Sequence, residues 1–372
     1  MPTDFLVKKA DLKETRFVSS PETRALKAND ILLKIEHFAF TSNNVTYAAF
    51  GEAMNYWQFF PVPNGEEAWG RIPVWGFATV VSVGSTVSEA TGPSHIALGE
   101  RIYGYFPMSS HLTMTPVQTN ALGFSDGAEH RAKLHPVYNH YRRCAEDPTY
   151  NTGTEPQQML LQPLFMTAFL IDDFLADNQF FGAEQVVLSS ASSKTAYSVA
   201  HLLKRRKTVK VVGLTSPSNA VFVNGIACYD QVVNYQDFSQ LDSNKKTVFV
   251  DMAGNAKVRA NVHQHFQASL TYSCSVGGTH WDALSAPGQG SALPGPKPTL
   301  FFAPAQIKKR SVEWGAKELQ SKMGQAWLKF LPKLDDWMHV LESEGQACVE
   351  KVYLAMLNGE GQADQGYVLK LN

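Results

Sequence analysis

The fold of this chain is decided by the stretch Val186-Val187-Leu188-Ser189-Ser190-Ala191-Ser192-Ser193-Lys194-Thr195-Ala196. It opens as an apolar run and then changes abruptly to small residues, most of them serine. Apolar residues return with helical spacing at Val199, Ala200 and Leu203. The stretch therefore predicts a strand, a tight turn and a helix.

The small residues of this turn stand where a dinucleotide-binding unit has its glycines. That unit carries G-x-x-G-x-x-G or a close variant because the turn is tight, the backbone approaches a pyrophosphate and the helix lies against the strand. Here the three positions hold Ser190, Ser193 and Ala196, none of which is glycine. The turn is either an unusual cofactor cradle or a cradle that has lost its ligand.

Two interpretations of the serines stay open. In the first, their hydroxyls donate to phosphate oxygens, and Lys194 adds a positive charge at the helix N-terminus. The cofactor-binding candidates of the turn are then Ser190, Ser193, Lys194 and Thr195. In the second, the serines only cap the helix.

The composition is typical of a soluble globular protein with two domains. The 372 residues exceed the usual size of one core, and 44% hydrophobic and 18% charged residues are ordinary values. A net charge of -1 gives no reason to expect nucleic acid or an anionic membrane as a partner. No apolar run approaches the ~20 residues that span a bilayer, and the first residues lack a secretory signal, so we expect a cytoplasmic protein.

The pattern along the chain predicts two kinds of domain. Branched and aromatic residues at 31–35, 78–84 and 101–105 indicate a mostly β first domain. Residues 123–156 form a long, partly helical connection, and a Gly/Pro-rich loop follows at 285–298.

From Leu164 onward, helices are predicted to alternate with strands. The expected order is helix 167–175, strand 186–190, helix 194–206, strand 208–213, helix 218–225, strand 247–251, helix 256–267 and strand 270–276. This alternation predicts a parallel, doubly wound sheet. Amphipathic helices and a closing strand at 367–371 are expected to return to the first domain. The predicted domains are 1–150 with 305–372, and 151–304.

Several motifs, in this order, resemble one known family. They are Ser42-Asn43-Asn44-Val45-Thr46-Tyr47 with Gly51, Ala97 to Gly104, Met166-Thr167-Ala168, and the serine turn. Their order resembles the zinc-free quinone oxidoreductase and enoyl reductase branch of the medium-chain dehydrogenase/reductase superfamily. The resemblance implies an α/β fold, with a GroES-like β domain and a Rossmann domain built on a doubly wound parallel sheet. It also places Thr167 near the nicotinamide.

Other phrases resemble a poorly characterised group defined only as a domain of unknown function. They are Tyr56-Trp57 with Phe59-Phe60-Pro61, Val74-Trp75-Gly76-Phe77, the serine turn, and Gly213-Leu214-Thr215-Ser216 with Asn219. This second resemblance implies no established reaction.

The zinc ligands of the superfamily are missing from this sequence. Zinc-binding members have a cysteine in the segment held here by Ser42-Asn43-Asn44, and a G-H-E motif where this chain has Trp75-Gly76-Phe77. Cys144, Cys228 and Cys274 are far from one another and from Cys348 in sequence. We expect no metal.

The end of the second Rossmann strand usually selects the nicotinamide cofactor. Gly213 to Tyr229 contains no Asp or Glu to bind the ribose of NAD, and no Lys or Arg to bind the 2′-phosphate of NADP. Thr215, Ser216 and Asn219 offer neutral donors to a 2′-phosphate, and no carboxylate is present to bind the ribose of NAD, so NADP is the expected cofactor. The alternative is that these residues only form a turn and cap the next helix. Asp251, at the end of a later strand, either faces a ligand or caps the next helix.

The predicted acid is Tyr47, because the resemblance places it in the cleft and a phenol can donate to an oxygen that gains charge during hydride transfer. Tyr56 is the second candidate, and Asn43 lies in the same segment as Tyr47. Aromatic packing is the alternative role for both tyrosines. In the connection, Arg131, Arg142 and Arg143 either clamp an anionic substrate or lie on a solvated helix face.

The resulting hypothesis is a zinc-independent NADP(H)-linked reductase of a carbonyl, a quinone or an activated alkene. One alternative is a non-catalytic or regulatory scaffold with a degenerate Rossmann site, suggested by the missing glycines. Another is a lyase or hydrolase that uses the same cleft, since fold alone does not choose among these. The expected partner is a small molecule, with neither nucleic acid nor membrane, and a homodimer is a family-level expectation.

Overall fold

The computed structural model describes residues 2–19, 26–276 and 293–371. Their contacts divide the chain into two compact units, one of Met1–Leu160 with Met338–Asn372 and one of Leu161–Trp337. Of the predicted loop at 285–298, residues 285–292 lie outside the described part of the chain.

The first unit opens with strands and short helices. They are β1 (Thr3–Lys8), β2 (Asp11–Ser19), β3 (Ile31–Phe40), α1 (Ser42–Ala49), β4 (Trp69–Gly70), β5 (Pro73–Val83), α2 (Ser85–Glu89), β6 (Arg101–Pro107), β7 (His111–Met114), β8 (Pro116–Val117), β9 (Gly123–Asp126) and β10 (Tyr141–Arg143). The strands predicted within β3, β5 and β6 are confirmed. The predicted connection at 123–156 contains β9, β10 and several single turns of 3₁₀ helix.

Helices and strands then alternate up to Trp337. They are α3 (Glu155–Asp177), β11 (Gln185–Leu188), α4 (Lys194–Arg206), β12 (Lys210–Thr215), α5 (Ala220–Gly225), β13 (Gln231–Asn234), β14 (Thr247–Asp251), α6 (Ala256–Phe266), β15 (Leu270–Ser275), β16 (Thr299–Leu300), α7 (Ala303–Glu313), α8 (Ala316–Phe330) and α9 (Leu334–Trp337). The last elements are β17 (His339–Glu344), α10 (Gln346–Leu357) and β18 (Gln365–Lys370). The predicted alternation is confirmed.

The second unit is built on a parallel sheet of six strands in the order β13-β12-β11-β14-β15-β16. Its inner strands are continuous apolar runs because helices cover both faces of such a sheet. Val187, Val212 and Phe249, one from each of three adjacent strands, are fully buried in one core. The sheet puts the ends of β11, β12 and β14 at one edge, where ligands of open parallel sheets bind.

The first unit has a nine-stranded sheet in the order β17-β18-β3-β5-β6-β10-β9-β8, with β7 also pairing with β3. The C-terminal strand β18 pairs antiparallel with β3, with Tyr367 opposite Phe40 and Leu369 opposite Phe38. The expected return of the chain to the first domain is therefore observed. A separate three-stranded sheet has the order β2-β1-β4.

The helices after residue 303 pack in the second unit, although the sequence analysis grouped 305–337 with the first domain. Trp327 and Phe330 of α8 lie 5.5 and 4.8 Å, centroid to centroid, from the ring of Phe165 in α3. Both α8 residues are almost fully buried. The apolar stripe of this helix therefore joins the second core.

One helix of the described chain, at Thr152–Asp177, is long and apolar enough to cross a membrane by length and composition. The expectation that no such run exists is therefore wrong. A core helix of a soluble protein passes the same test, and 61% of the apolar window is buried in the fold. The composition of α3 is accounted for by that burial.

Candidate functional site

The serine turn joins β11 to α4 and has an unusual backbone. Ser190 has a φ of 48°, in the left-handed region that glycine adopts most easily. It thus takes the conformation that a glycine would usually supply at this point. At the other end of the turn, the Ser193 hydroxyl accepts the N–H of Ala196 at 3.3 Å and caps α4. Capping is therefore part of what these serines do.

Two tyrosines from outside the motif fix the turn. The backbone N–H of Ser190 donates to the Tyr235 hydroxyl at 2.9 Å, and the Tyr229 hydroxyl donates to the carbonyl oxygen of Ala191 at 2.8 Å. Close packing accompanies these bonds, because a Cβ at Gly213 would lie 2.8 Å from the Tyr229 ring and 2.9 Å from the Cβ of Ala191. Sequence reasoning missed both tyrosines, since no motif spacing connects them to the turn.

Asp251 is held by internal partners. Its Oδ1 accepts the Ser189 hydroxyl and the N–H of Gly254, each at 3.0 Å, and its Oδ2 accepts Nε of Arg259 at 2.9 Å. The side chain is buried. This geometry favours a structural role over ligand binding. The predicted helix cap is supplied instead by Asn255, which accepts from the first turn of α6.

Three buried polar atoms at the carboxyl ends of parallel strands have no hydrogen-bond partner among the described residues. They are Thr215 Oγ1, Asn234 Oδ1 and Ser275 Oγ, on the last residues of β12, β13 and β15. Thr215 and Asn234 are also directly paired across the sheet. Buried polar atoms are normally satisfied, so such a group at a ligand-binding edge fits a polar ligand. Thr215 was predicted from sequence, whereas Asn234 and Ser275 were not.

The other predicted residues after β12 contact one another and the serine turn. Ser216 Oγ lies 2.8 Å from Ser218 Oγ. Asn219 Nδ2 donates to Ser192 Oγ at 3.1 Å, so the segment after β12 and the serine turn are adjacent. Lys194 and Thr195 form the first turn of α4.

Thr167 lies within α3, where its hydroxyl donates to the carbonyl oxygen of Pro163 at 3.4 Å. That bond is local to the helix. It neither supports nor opposes the predicted position near a nicotinamide.

The predicted acids of the first unit lie in an aromatic group, here called the tyrosine cluster, made of Tyr47, Tyr56, Tyr105 and Tyr138. The ring of Tyr47 is 4.6 Å from Tyr56, 5.6 Å from Tyr105 and 6.3 Å from Tyr138, centroid to centroid. The structure thus brings Tyr47 and Tyr56, the first and second candidates for the acid, into ring contact. Tyr105 and Tyr138 were missed because they are distant in sequence from Tyr47.

Burial keeps the cluster hydroxyls protonated. It raises the pKa of Tyr47 well above its ordinary value, with a further increase from Tyr56, while hydrogen bonds with Trp75, Asn43 and Tyr138 oppose the shift. Burial also raises the pKa of Tyr56, with a contribution from Tyr138. These phenols can donate a hydrogen bond across the physiological range, but they cannot serve there as bases.

One hydroxyl of the cluster, Tyr105 Oη, lacks a hydrogen-bond partner within the described residues. The Trp75 ring lies 5.1 Å from that of Tyr105, and its N–H hydrogen-bonds to the Tyr47 hydroxyl oxygen. The Tyr105 hydroxyl can donate, and it costs free energy when buried without an acceptor. A ligand with a carbonyl oxygen would supply one.

The three arginines proposed as an anion clamp all have internal partners. Arg131 is buried, donates to the Tyr141 hydroxyl at 2.6 Å and pairs with Asp126 at 3.3 Å. Arg142 pairs with Asp147 at 2.9 Å. Arg143 pairs with Glu100 and donates to the carbonyl oxygen of His95 at 2.7 Å. The expected solvated helix face is not observed either, since Arg131 is buried in a short turn and the other two lie on β10. The clamp stays a prediction without geometric support.

An ion cluster at the start of α3 was not predicted. Glu155 accepts Nε of Arg101 at 2.8 Å, the Tyr150 hydroxyl at 2.7 Å and an N–H of His37 at 2.8 Å. Burial opposes ionisation, but hydrogen bonds from His37, Arg101 and Tyr150 hold the pKa of Glu155 at about 2. These bonds attach the first turn of α3 to strands of the first unit, which is a structural role.

No group of three or more His, Cys, Asp or Glu side chains in the described part of the chain is placed to hold a metal ion. The cysteines described are unpaired; Cys144, Cys228 and Cys274 are buried, and Cys348 is exposed.

The family described as "protein of unknown function (DUF2855)" matches residues 38–362. The chain belongs to this family. Its description names no reaction, and no curated protein matches the chain.

Solved structures of low sequence identity share the fold over nearly the whole chain. CurA from Vibrio vulnificus in complex with NADPH is 12% identical with a TM-score of 0.62, covering 100% of this chain and 99% of that chain. A mutant form of enoyl thioester reductase from Candida tropicalis is 12% identical with a TM-score of 0.58, covering 99% of each. The quinone oxidoreductase from Coxiella burnetii is 13% identical with a TM-score of 0.54, covering 100% and 99%. This likeness confirms the predicted α/β fold with GroES-like and Rossmann domains.

Proposed function

We propose that this protein is a zinc-independent, NADP(H)-linked reductase of a carbonyl compound, a quinone or an activated alkene. The fold is shared with an NADPH complex, an enoyl thioester reductase and a quinone oxidoreductase. Because a fold hosts many functions, the proposal depends on the site residues of this chain.

The observation that carries the proposal is the set of unsatisfied polar atoms at the carboxyl edge of the parallel sheet. A dinucleotide offers ribose hydroxyls and phosphate oxygens that would pair with Thr215 and Asn234, which adjoin each other on β12 and β13. The serine turn adds the N-terminus of α4, which favours an anion. These residues fit the cofactor.

The proposed preference for NADP over NAD is based on the segment that follows β12, which has no carboxylate to bind the ribose hydroxyls of NAD. The described segment from Gly213 to Tyr229 has neutral hydroxyl and amide groups and no acidic residue that would repel a 2′-phosphate. Ser216 and Asn219 are the residues that would donate to it.

When bound, the cofactor would supply a hydride to the acceptor. The chain's own contribution would be hydrogen bonding to the acceptor oxygen from Tyr47, whose burial keeps its hydroxyl protonated. Tyr105 provides one more hydroxyl donor with no acceptor among the residues described. A neutral carbonyl group fits these donors, because the hydroxyls of the tyrosine cluster are uncharged.

The direct test is a calorimetric titration of the purified protein with NADPH and with NADH. We expect NADPH to bind more tightly by about tenfold, since neutral hydrogen bonds each contribute roughly 0.5–1.5 kcal/mol. Absence of binding by both cofactors would overturn the proposal. Cytoplasmic location and a homodimer remain predictions.

A further inference from the structure

We propose that a basic groove in the second unit binds a small phosphate-class anion, at a site separate from the serine turn. The groove has a volume of about 240 Å³. It is lined by residues of α3, α4 and α8, namely Asp172, Leu202, Arg205, Arg206, Lys322, Gln325, Ala326 and Lys329.

The charge of this basic groove is strongly unbalanced. Asp172 is the one carboxylate among its lining residues, and both of its oxygens already accept from Arg206, Nε and Nη2 each at 2.7 Å. Lys322 has an acidic neighbour outside the groove, Glu318, at 3.2 Å. Arg205 and Lys329 have no ion pair with any described residue. Two cations on different helices thus face one groove without counter-charges.

One of these cations, Arg205, acts on a neighbouring residue. His201 lies one helical turn before Arg205 on α4, and its pKa is lowered to about 4 by burial first, and then by the charges of Arg205 and of Lys333, which lies outside the groove lining. An anion bound beside Arg205 would offset part of this positive charge.

Helix dipoles explain where the cations lie along each helix. Arg205 and Arg206 lie in the last turn of α4, and Lys329 lies in the last turn of α8, where cations complement the dipole. Lys322, near the middle of α8, pairs with Glu318 and lies 5.3 Å from the centre of the Trp314 ring. The dipoles do not explain why two helices direct their cations into one groove, and an anion supplies a reason.

The size and chemistry of the groove indicate the ligand. Arginine guanidinium groups and lysine ammonium groups are the usual protein ligands of phosphate. The volume is below the roughly 300–1,000 Å³ typical of drug-sized ligands, so phosphate, pyrophosphate or a small phosphomonoester fits and a dinucleotide does not. The groove lies at the C-terminal end of α4 and the serine turn at its N-terminal end, about 20 Å apart for a helix of 13 residues.

The experiment is calorimetric titration with inorganic pyrophosphate at a constant ionic strength of about 0.15 M. We expect saturable binding at the groove, with that affinity reduced about tenfold in Lys329→Gln and in Arg205→Gln, whereas any binding at the serine turn would persist in both variants. Lys317→Gln, on the exposed start of α8 and outside the groove, is the matched control and should bind normally.

A second variant separates this groove from the cofactor site. Lys194→Ala, at the serine turn, should leave the pyrophosphate affinity unchanged. The proposal is overturned if pyrophosphate does not bind, if Lys329→Gln and Arg205→Gln bind it like the wild type, or if only Lys194→Ala loses binding. The groove variants test only this proposal, whereas loss of binding in Lys194→Ala alone would place pyrophosphate at the serine turn, as the proposed function expects.

Discussion

The backbone N–H of Ser190 donates a hydrogen bond to the hydroxyl of Tyr235 at 2.9 Å. Ser190 has left-handed backbone geometry, and Tyr235 follows the last residue of β13. A turn that lacks glycine thus depends on a distant side chain to satisfy one of its N–H groups.

Tyr235→Phe should therefore weaken the fold. The substitution removes the acceptor of the Ser190 N–H, and a half-buried donor left without a partner costs about 1 kcal/mol or more. Urea unfolding monitored by circular dichroism measures the change. The control is Tyr367→Phe, whose hydroxyl bonds only locally to Gln365. Equal stability of the Tyr235→Phe variant and the wild type would contradict the assigned role.

Gly213→Ala should destabilise the second unit by about 1–3 kcal/mol, because the new methyl group would overlap the Tyr229 ring and the Cβ of Ala191. Gly225→Ala is the matched control. A Cβ there meets nothing within 4 Å, and alanine is a better helix former than glycine in α5. Thermal unfolding of both variants is the measurement, and similar midpoints for the two would show that the turn accommodates a side chain.

The ion cluster around Glu155 predicts a specific loss of stability in acid. Its pKa is depressed from 4.5 to about 2, so its contribution is fully present above about pH 4.5 and is lost as the pH falls toward 2. After allowance for solvent screening, the ionised Glu155 side chain contributes about 2 kcal/mol to the free energy of unfolding.

Comparing urea midpoints over this pH range tests that contribution. Glu155→Gln should lower stability at neutral pH and reduce the acid dependence. Glu129→Gln, at an exposed glutamate, should keep the wild-type dependence. An unchanged slope in Glu155→Gln would show that other carboxylates cause the acid sensitivity.

Much of the fold could be predicted from local pattern. The bounds of α4 and β14 agree with the sequence analysis, since an apolar strand, a capping serine and an amphipathic helix are all encoded by neighbouring residues. The short strand β13 was missed because it has only four residues and a polar end at Asn234. Helix α3 begins earlier than predicted. Its first part was missed because it contains Pro163, a residue that usually ends or kinks a helix.

The candidate site was less predictable because it is made by long-range contacts. The serine turn was found from its position after a strand, but Tyr229 and Tyr235 reach it from other elements. Tyr47 was predicted through the family resemblance and Tyr56 as a second candidate, whereas Tyr105 and Tyr138 enter the cluster only when strands and turns fold together. Periodicity and motif spacing contain no information about such contacts.

Tyr47→Phe tests the proposed chemistry apart from cofactor binding. The variant keeps the ring and its packing and deletes only the hydroxyl. If that hydroxyl stabilises the transition state, turnover on a panel of quinones and enones should fall by about a hundredfold while NADPH affinity persists. Tyr367→Phe, outside the tyrosine cluster, is the control. Wild-type turnover in Tyr47→Phe would remove this residue from the mechanism.

The central claim is that the serine turn and the polar edge beside it bind a nicotinamide dinucleotide. Calorimetric titration with NADPH and NADH tests this claim most directly, with Thr215→Val to remove the unsatisfied hydroxyl at the end of β12. We predict saturable binding of NADPH, weaker binding of NADH by about tenfold, and a loss of about fivefold or more in the variant. Failure of both cofactors to bind the folded wild-type protein would contradict the account.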